Sequence, residues 1–428
     1  MSAPGHEGTG HAGGRQPGRP ELDPVLVVNT GSSSLKLSVL RADDTVADRC
    51  DIDPWDGSAD APRLRAYLDT LAGRGTAVRP AAVGHRVVHG GTRFTSAALI
   101  DETVLAGIAD LTPLAPLHQP RALAGIAATM TTLGDLPQVA CFDTAFHRTL
   151  PPRAATYPLP ADWRQAFGLR KFGFHGLSHS YAARRAAQLL DIPESRQIRA
   201  VTCHLGAGSS LAAVQGGRSV ETTMGFTPLD GLVMATRCGS IDPGLIAWLA
   251  ADRVPAAELA AGLEHRSGLA GLAGLPDGSG DIRAVIAAAQ RGDQDARLAL
   301  DVHGHRLVAA VAAMAAAMNG IDLLVFTGGI GEHQPAVRTA AAAGLRFLGV
   351  GLDPDRNAAA SADADITAEG ARVRTVVVSA REDIEVARSV RALVAGLSSW
   401  ASVSSSSAGR SRTTPSPSTP SCGDSAAT

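Results

Sequence analysis

Holding a phosphate takes clustered backbone N–H groups, hydroxyls and a cation, and two stretches of this chain supply them. In VLVVNTGSSSLK, four apolar residues, Val25 to Val28, lead into Asn29, Thr30, Gly31, Ser32, Ser33, Ser34 and then Lys36. Small residues let backbone N–H groups approach an anion, the hydroxyls add donors, and Lys36 adds a point charge. In the second stretch, Ala200 to Cys203 lead into His204, Leu205, Gly206, Ala207, Gly208, Ser209 and Ser210. Either loop alone reads equally as a Gly/Ser β-turn. Two copies, each behind a buried strand, point to two similar halves facing one nucleotide. Both the Gly-Lys-Ser/Thr of a Walker loop and the three-glycine spacing of a dinucleotide turn are missing. The chain has 39 Lys plus Arg, of which only Lys36 and Lys171 are lysines, so a lysine closing the first loop stands out.

Further residues sit where an anion clamp or a reacting group belongs. Arg86 lies in GHRVVHGG, inside a β-type run, where burial demands an anionic partner. It is a carboxylate or phosphate clamp, or an arginine snorkelling from an edge strand. Asp143 follows the apolar run Gln138 to Phe142, a position that points into the crevice of an open α/β sheet or else serves as a helix cap. His118 in LAPLH, His175 in RKFGFHGLSH and Arg237 in TRCGS lie in loops and could reach a ligand, cap a helix or face solvent. Thr327-Gly328-Gly329-Ile330-Gly331-Glu332-His333 joins a strand to a helix and suits a nucleotide. Glu382 and Asp383 open a helix, where the dipole favours acids, and Glu382 near a metal is the sharper reading. No cysteine nucleophile with a base and no HExxH array appears. What remains is phosphate handling by positioning and charge neutralisation, which phosphoryl transfer requires above all.

The elements that must carry these groups alternate between strands and helices. Strands are expected at Val25–Val28, Ala200–Cys203, Gln138–Phe142, Asp322–Phe326 and Arg374–Ser379. Helices are expected over 64–71 and 104–111, from Pro120 to Met130, from Ser178 as N-cap to Leu190, over 244–251, from 281 to Gln290, on to Met318, and from Glu382 to Leu397. Glu221 to Ser240 reads as a long loop and Gly268 to Gly280 as a Gly-rich segment. With 428 residues, 45% of them hydrophobic, the chain can form two domains with real cores. A net charge of −2 and 4% aromatics offer nothing to nucleic acid or an anionic membrane. Five scattered cysteines without a CxxC pair suggest free thiols and a cytoplasmic setting. Residues 1–23 read as a disordered extension, neither signal peptide nor spanning helix, and the Ser/Thr/Pro-rich chain from Ser398 to Thr428 as a disordered tail. The longest helical apolar run, Leu307 to Met318, is short for a bilayer.

From about Val25 to Leu397 the chain resembles the acetate kinases. Nine motifs in order carry the likeness: VLVVNTGSSSLK, GHRVVHGG, LAPLH, CFDTAFH, RKFGFHGLSH, TCHLGAGSS, ETTMGFTPLDGL, TRCGSIDPG and FTGGIGE. The resemblance implies an α/β fold of two duplicated ribonuclease-H-like domains, shared with actin, hexokinase and Hsp70, with the site in the cleft between them. It implies lobes of 24–148 plus 384–397 and of 149–383, a homodimer, and reversible transfer of the ATP γ-phosphate to acetate with Mg²⁺, or Mn²⁺ in its place.

By the same resemblance, Asn29 and Glu382 lie at the metal, and Ser32, Ser34 and Lys36 near the phosphates. Arg86 binds the acetate carboxylate, and Val88, Leu117, Phe174 and Pro228 enclose its methyl. Asp143 is the essential carboxylate, while His175 and Arg237 stabilise the moving phosphoryl group with His118 nearby. His204, Leu205, Gly206, Ala207 and Gly208, Asp281, Ile282 and Arg283, and Gly329, Ile330, Gly331, Glu332 and His333 hold ATP. The family commonly has Asn where Ala207, His333 and Arg381 stand, so activity is expected with altered nucleotide affinity. The rival readings are a propionate or butyrate kinase, a non-catalytic ATP-binding module of the same fold and, more distantly, an NAD-dependent oxidoreductase.

Overall fold

The computed structural model describes residues 23–407 apart from 32–33, 58, 75–77 and 194–196. Twelve strands form two six-stranded sheets: β1 Val25–Thr30, β2 Leu35–Leu40, β3 Val46–Ile52, β4 Ala82–Val87, β5 Ala98–Leu99 and β6 Gln138–Phe142, then β7 Arg199–Leu205, β8 Ser209–Gln215, β9 Arg218–Thr222, β10 Leu323–Thr327, β11 Ala364–Asp365 and β12 Arg374–Val377. The strand orders are β3-β2-β1-β4-β6-β5 and β11-β12-β10-β7-β8-β9, the same path twice. In each half an antiparallel meander leads, two parallel strands extend it, and a two-residue antiparallel strand closes the edge. This is the duplicated ribonuclease-H-like α/β fold expected. Strands covered on both faces need near-continuous apolar runs, and Leu323–Thr327 and Gln138–Phe142 are buried throughout.

Register brings the polar strand ends together. β1 pairs with β4 so that Asn29 lies beside Arg86, and β2 sets Lys36 on the other side of Asn29. Asp143 follows β6 directly, His204 is near the end of β7, Gly328 follows β10, and Glu382 comes soon after β12. The carboxyl ends of the parallel strands of both sheets therefore supply one crevice.

The closing helix, Glu382–Ser407, returns across the first sheet, where Val386, Ala387, Val390 and Val394 pack on Val25, Val27, Leu40 and Ala82. It lies so close to β4 that a Cβ on Gly84 would fall 2.6 Å from Val386 Cγ1 and 2.7 Å from Val390 Cγ2. The helix Gly176–Leu189 covers the second sheet with Tyr181, Ala182 and Ala186.

Three expectations change. The last helix runs on to Ser407, through part of the stretch read as a tail, because no Pro or Gly interrupts it between Gly396 and Gly409. The expected disorder of residues 1–22 and 408–428 lies outside the described residues. The Gly-rich segment contains a short helix, Gly268–Ala273, and Pro160 and Pro255 precede helices the composition did not announce. The 24-residue helix Gln294–Ala317 is long and apolar enough by composition to cross a membrane. Its His303, Leu307, Val311 and Met314 are buried in the second core, as in a packed core helix.

Candidate active site

Arg86 anchors the crevice. Its Nε and Nη2 donate to the two oxygens of Asp143 at 3.1 and 2.7 Å, and its Nη1 donates to Asn29 Oδ1 at 3.1 Å. Glu382 Oε2 stands 3.5 Å from Arg86 Nε and accepts from Asn29 Nδ2 at 2.9 Å. The snorkelling alternative is thereby dismissed. Three N–H groups are engaged this way, leaving two of the five a guanidinium carries. Burial opposes the charge on Arg86, but Asp143 and Glu382 outweigh it and raise its pKa. Burial pushes the Asp143 carboxyl up against the pull of Arg86. Burial also pushes Glu382 up, yet Arg86, His204, Asn29 and Lys36 together hold it below its ordinary value.

A cavity of about 220 Å³ adjoins this ion pair, lined by Val88, Phe174 and Pro228 on an apolar side and by His118, Asp143, His175, Gly208 and Arg237 on the polar one. Arg237 is less satisfied than Arg86: Nη1 donates to Pro228 O at 3.4 Å, and Glu264 Oε1 is 3.9 Å from Nε. Burial lowers its pKa, offset in part by Glu264. His118 has a buried Nδ1 without a partner, and burial, Arg86, Arg237 and Arg121 push its pKa down to about 4.

His175 adopts the left-handed backbone at φ 54°, unusual for a residue with a Cβ, and directly precedes the helix Gly176–Leu189. The helix starts three residues earlier than a Ser178 cap would have it. Only glycine fits at 176, since a Cβ there would meet the Asp143 carbonyl oxygen at 2.0 Å. Ser178 Oγ instead bonds His204 Nδ1 at 2.7 Å, and the His204 ring stacks on His175 at 4.3 Å.

A second cavity of about 320 Å³ is lined by Asn29, Gly31, Ser34, Lys36, Arg49, Gly328, Gly329 and Asp383. Gly31, Arg86, His204 and Glu382 line both cavities, so the two adjoin along one crevice. Gly206 and Ala207 border the first cavity with Gly208. Ser32 lies outside the described residues.

Other residues expected at the site are placed away from both cavities. Leu117 is 38% exposed and lines neither. Leu205, Ile282 and Ile330 are packed in the second core. Arg283 is held by Asp281, its Nη2 2.5 Å from Oδ2. Gly331 O accepts from Arg338 Nη1 at 2.9 Å, and Glu332 Oε1 accepts from the Ala380 N–H at 3.0 Å. His333 is exposed. The sequence reading missed Ser210 and His179, which join His175 in a buried hydrogen-bonded row. The spacing of His175 and His179 was the available signal, because residues four apart share a helix face.

Among the described residues no group of three or more His, Cys, Asp or Glu could hold a metal. Glu382 and Asn29 offer two oxygen donors, enough for Mg²⁺, which takes one or two carboxylates and fills the rest with phosphate and water oxygens. The Asn29 amide now turns its Nδ2 to Glu382, so sharing a cation with that carboxylate requires the amide to rotate.

Known proteins resemble this chain over most of its length. The model of the acetokinase family matches residues 56–388. An acetate kinase of Clavibacter michiganensis subsp. michiganensis is 44% identical over 398 residues, covering 87% of this chain and 99% of that one. An acetate kinase of Microcystis aeruginosa is 46% identical over 338 residues, covering 77% and 83%. Among solved structures, Porphyromonas gingivalis acetate kinase matches with a TM-score of 0.78 at 32% identity, covering 87% of this chain and 99% of that one. A propionate kinase from Francisella tularensis matches with 0.77 at 32%, covering 86% and 98%.

Proposed function

The chain belongs to the acetokinase family, and from that membership we propose that it is an acetate kinase, transferring the γ-phosphoryl group of ATP to acetate to give acetyl phosphate and ADP. The observation that carries the reading is the crevice itself. A small apolar pocket sits beside Arg237, His175 and the Arg86–Asp143 pair, and runs on into a chamber lined by Lys36, Ser34, Gly328 and Gly329.

The acetate methyl lies against Val88, Phe174 and Pro228, and its carboxylate meets the two N–H groups that Arg86 keeps free. A carboxylate oxygen attacks the γ-phosphorus in line. The new O–P bond forms as the bond to the β–γ bridging oxygen breaks, and ADP leaves with that electron pair. No proton has to be removed from the nucleophile. Arg237 and His175 donate to the equatorial oxygens, where charge collects in a loose transition state. Asp143 fixes Arg86 and keeps it charged. Lys36, Ser34 and the turn His204–Gly208 hold the donor's phosphates, and closure of the two lobes excludes water. Glu382 and Asn29 are the residues that would hold Mg²⁺, which when bound neutralises charge on the β- and γ-phosphate oxygens.

We also propose a homodimer in the cytoplasm. The helix Pro243–Ala250 (PGLIAWLA) buries none of its residues, with Leu245 45% and Trp248 54% exposed. A second copy of the chain is the simplest cover for such an apolar helix. The four cysteines of the described residues are free thiols, which suits a reducing compartment. A Trp248→Glu variant should sediment as monomer where the parent sediments as dimer; an unchanged dimer rejects this face.

Trapping the product with hydroxylamine tests the reaction. ATP with acetate should yield acetohydroxamate, and kcat/KM should fall for propionate and further for butyrate, since one methylene in such a pocket is worth about 1–3 kcal/mol. A higher kcat/KM for propionate would reassign the substrate, and absence of any hydroxamate would leave a nucleotide-binding module.

A further inference from the structure

We infer that Ser210 is a positioning residue for phosphoryl transfer: its one hydroxyl proton fixes the tautomer of His175, so that Nε2–H faces the moving phosphoryl group. The inference rests on the role given to His175 above.

Four side chains stand in a row. Thr202 Oγ1 is 2.7 Å from His179 Nδ1, His179 Nε2 is 2.8 Å from Ser210 Oγ, and Ser210 Oγ is 3.0 Å from His175 Nδ1. Thr202, His179 and Ser210 are fully buried. Each neutral imidazole carries one N–H and each hydroxyl one proton, so the row has only two self-consistent polarities. In one, His175 bears its proton on Nε2; in the other it bears it on Nδ1 and turns a bare lone pair outward.

The Thr202 end selects between them. Its hydroxyl proton has two acceptors in reach, His179 Nδ1 at 2.7 Å and Ala212 O at 3.4 Å. The second exceeds the normal O–H···O range, so the proton goes to His179 Nδ1. His179 then donates from Nε2 to Ser210, Ser210 donates to His175 Nδ1, and His175 keeps its proton on Nε2. That edge looks into the crevice. A Cβ on Gly208 would lie 3.5 Å from both His175 Nε2 and Arg237 Nη1, so the two donors converge on one small space. A phosphoryl oxygen accepts hydrogen bonds and would be repelled by a lone pair there. Burial, with His204, Arg86, His179 and Arg237 around it, holds the His175 pKa well down. A neutral ring donates to that space only in the tautomer that carries its proton on Nε2.

Ser210→Ala removes the hydroxyl and frees the tautomer. We expect kcat to fall about tenfold to a hundredfold, less than the roughly 10²–10³ typical of losing such a donor outright, with KM for ATP and acetate within threefold. In ¹⁵N-histidine spectra the His175 ring should show the Nε2–H form in the parent and lose that preference in the variant. The same substitution made on top of His175→Ala should change kcat less than twofold. A structural role for Ser210 would instead lower kcat equally in both backgrounds, and that result, or a single variant with full kcat, overturns the inference. If His175→Ala itself keeps kcat within twofold, the premise about His175 fails and the inference with it, while hydroxamate formation by the parent would still uphold the kinase.

Discussion

Arg86 and Arg237 carry the same charge in different company, and so they answer different experiments. Arg86 is bidentate on a buried carboxylate, and removing it strands Asp143 and Glu382 in the interior. Breaking such a pair costs about 3–5 kcal/mol, so Arg86→Ala would confound folding with catalysis. Arg237 has only a 3.4 Å bond to Pro228 O and a distant Glu264. Its guanidinium can be removed with little structural debt. Arg237→Ala should lower kcat by about 10³–10⁵, the range of a transition-state arginine, while ATP binding measured by calorimetry stays within a few-fold. A loss under tenfold would strip Arg237 of its assigned role. An arginine inside the β-run at 86 was legible in the sequence as needing an anion, because burial forces pairing. That the anion would be Asp143 was not legible, since only the β4–β6 register brings the two together.

At the scale of elements, apolar runs announced the central strands, and turn chemistry announced the two Gly/Ser hairpin loops. The two-residue edge strands β5 and β11 left no periodic signal to read. The start of the helix at Gly176 was also hidden, because the Asp143 carbonyl above it, not a capping side chain, decides where it begins. The turn Gly206–Gly208 carries Ala207 where the family resemblance leads one to expect Asn, a difference that a substitution can probe. Ala207 is exposed at the rim of the crevice, and its carbonyl accepts from the Ala235 N–H at 3.2 Å. The exposed position leaves an amide free to turn toward the crevice. Ala207→Asn should lower KM for ATP by about two- to tenfold, the yield of one net hydrogen bond of about 0.5–1.5 kcal/mol, with KM for acetate unchanged. A rise in KM for ATP would mean that the turn does not face the nucleotide.

For the whole molecule, duplication explains why one crevice collects so many functional groups: equivalent strand ends from both halves open onto it. The same burial that builds the two lobes sets their response to acid. His85, His147 and His303 are buried, and burial pushes each from an ordinary 6.5 down to about 4. Between those values the unfolded chain binds protons that the native state does not, so stability drops as pH falls through that window. Each group contributes up to about 1.4 kcal/mol per pH unit. Tm should therefore fall clearly from pH 7 to pH 5.5 and stay nearly level from pH 7 to pH 8. A Tm that holds steady down to pH 5.5 would mean these rings ionise in place.

Transfer itself can be watched by ³¹P NMR of ATP, Mg²⁺ and acetate with the full chain. The γ-phosphorus signal should decay as acetyl phosphate and ADP grow one for one, with no inorganic phosphate and no change when acetate is left out. Inorganic phosphate growing at the same rate with or without acetate would contradict a crevice built to hand the phosphoryl group to a carboxylate.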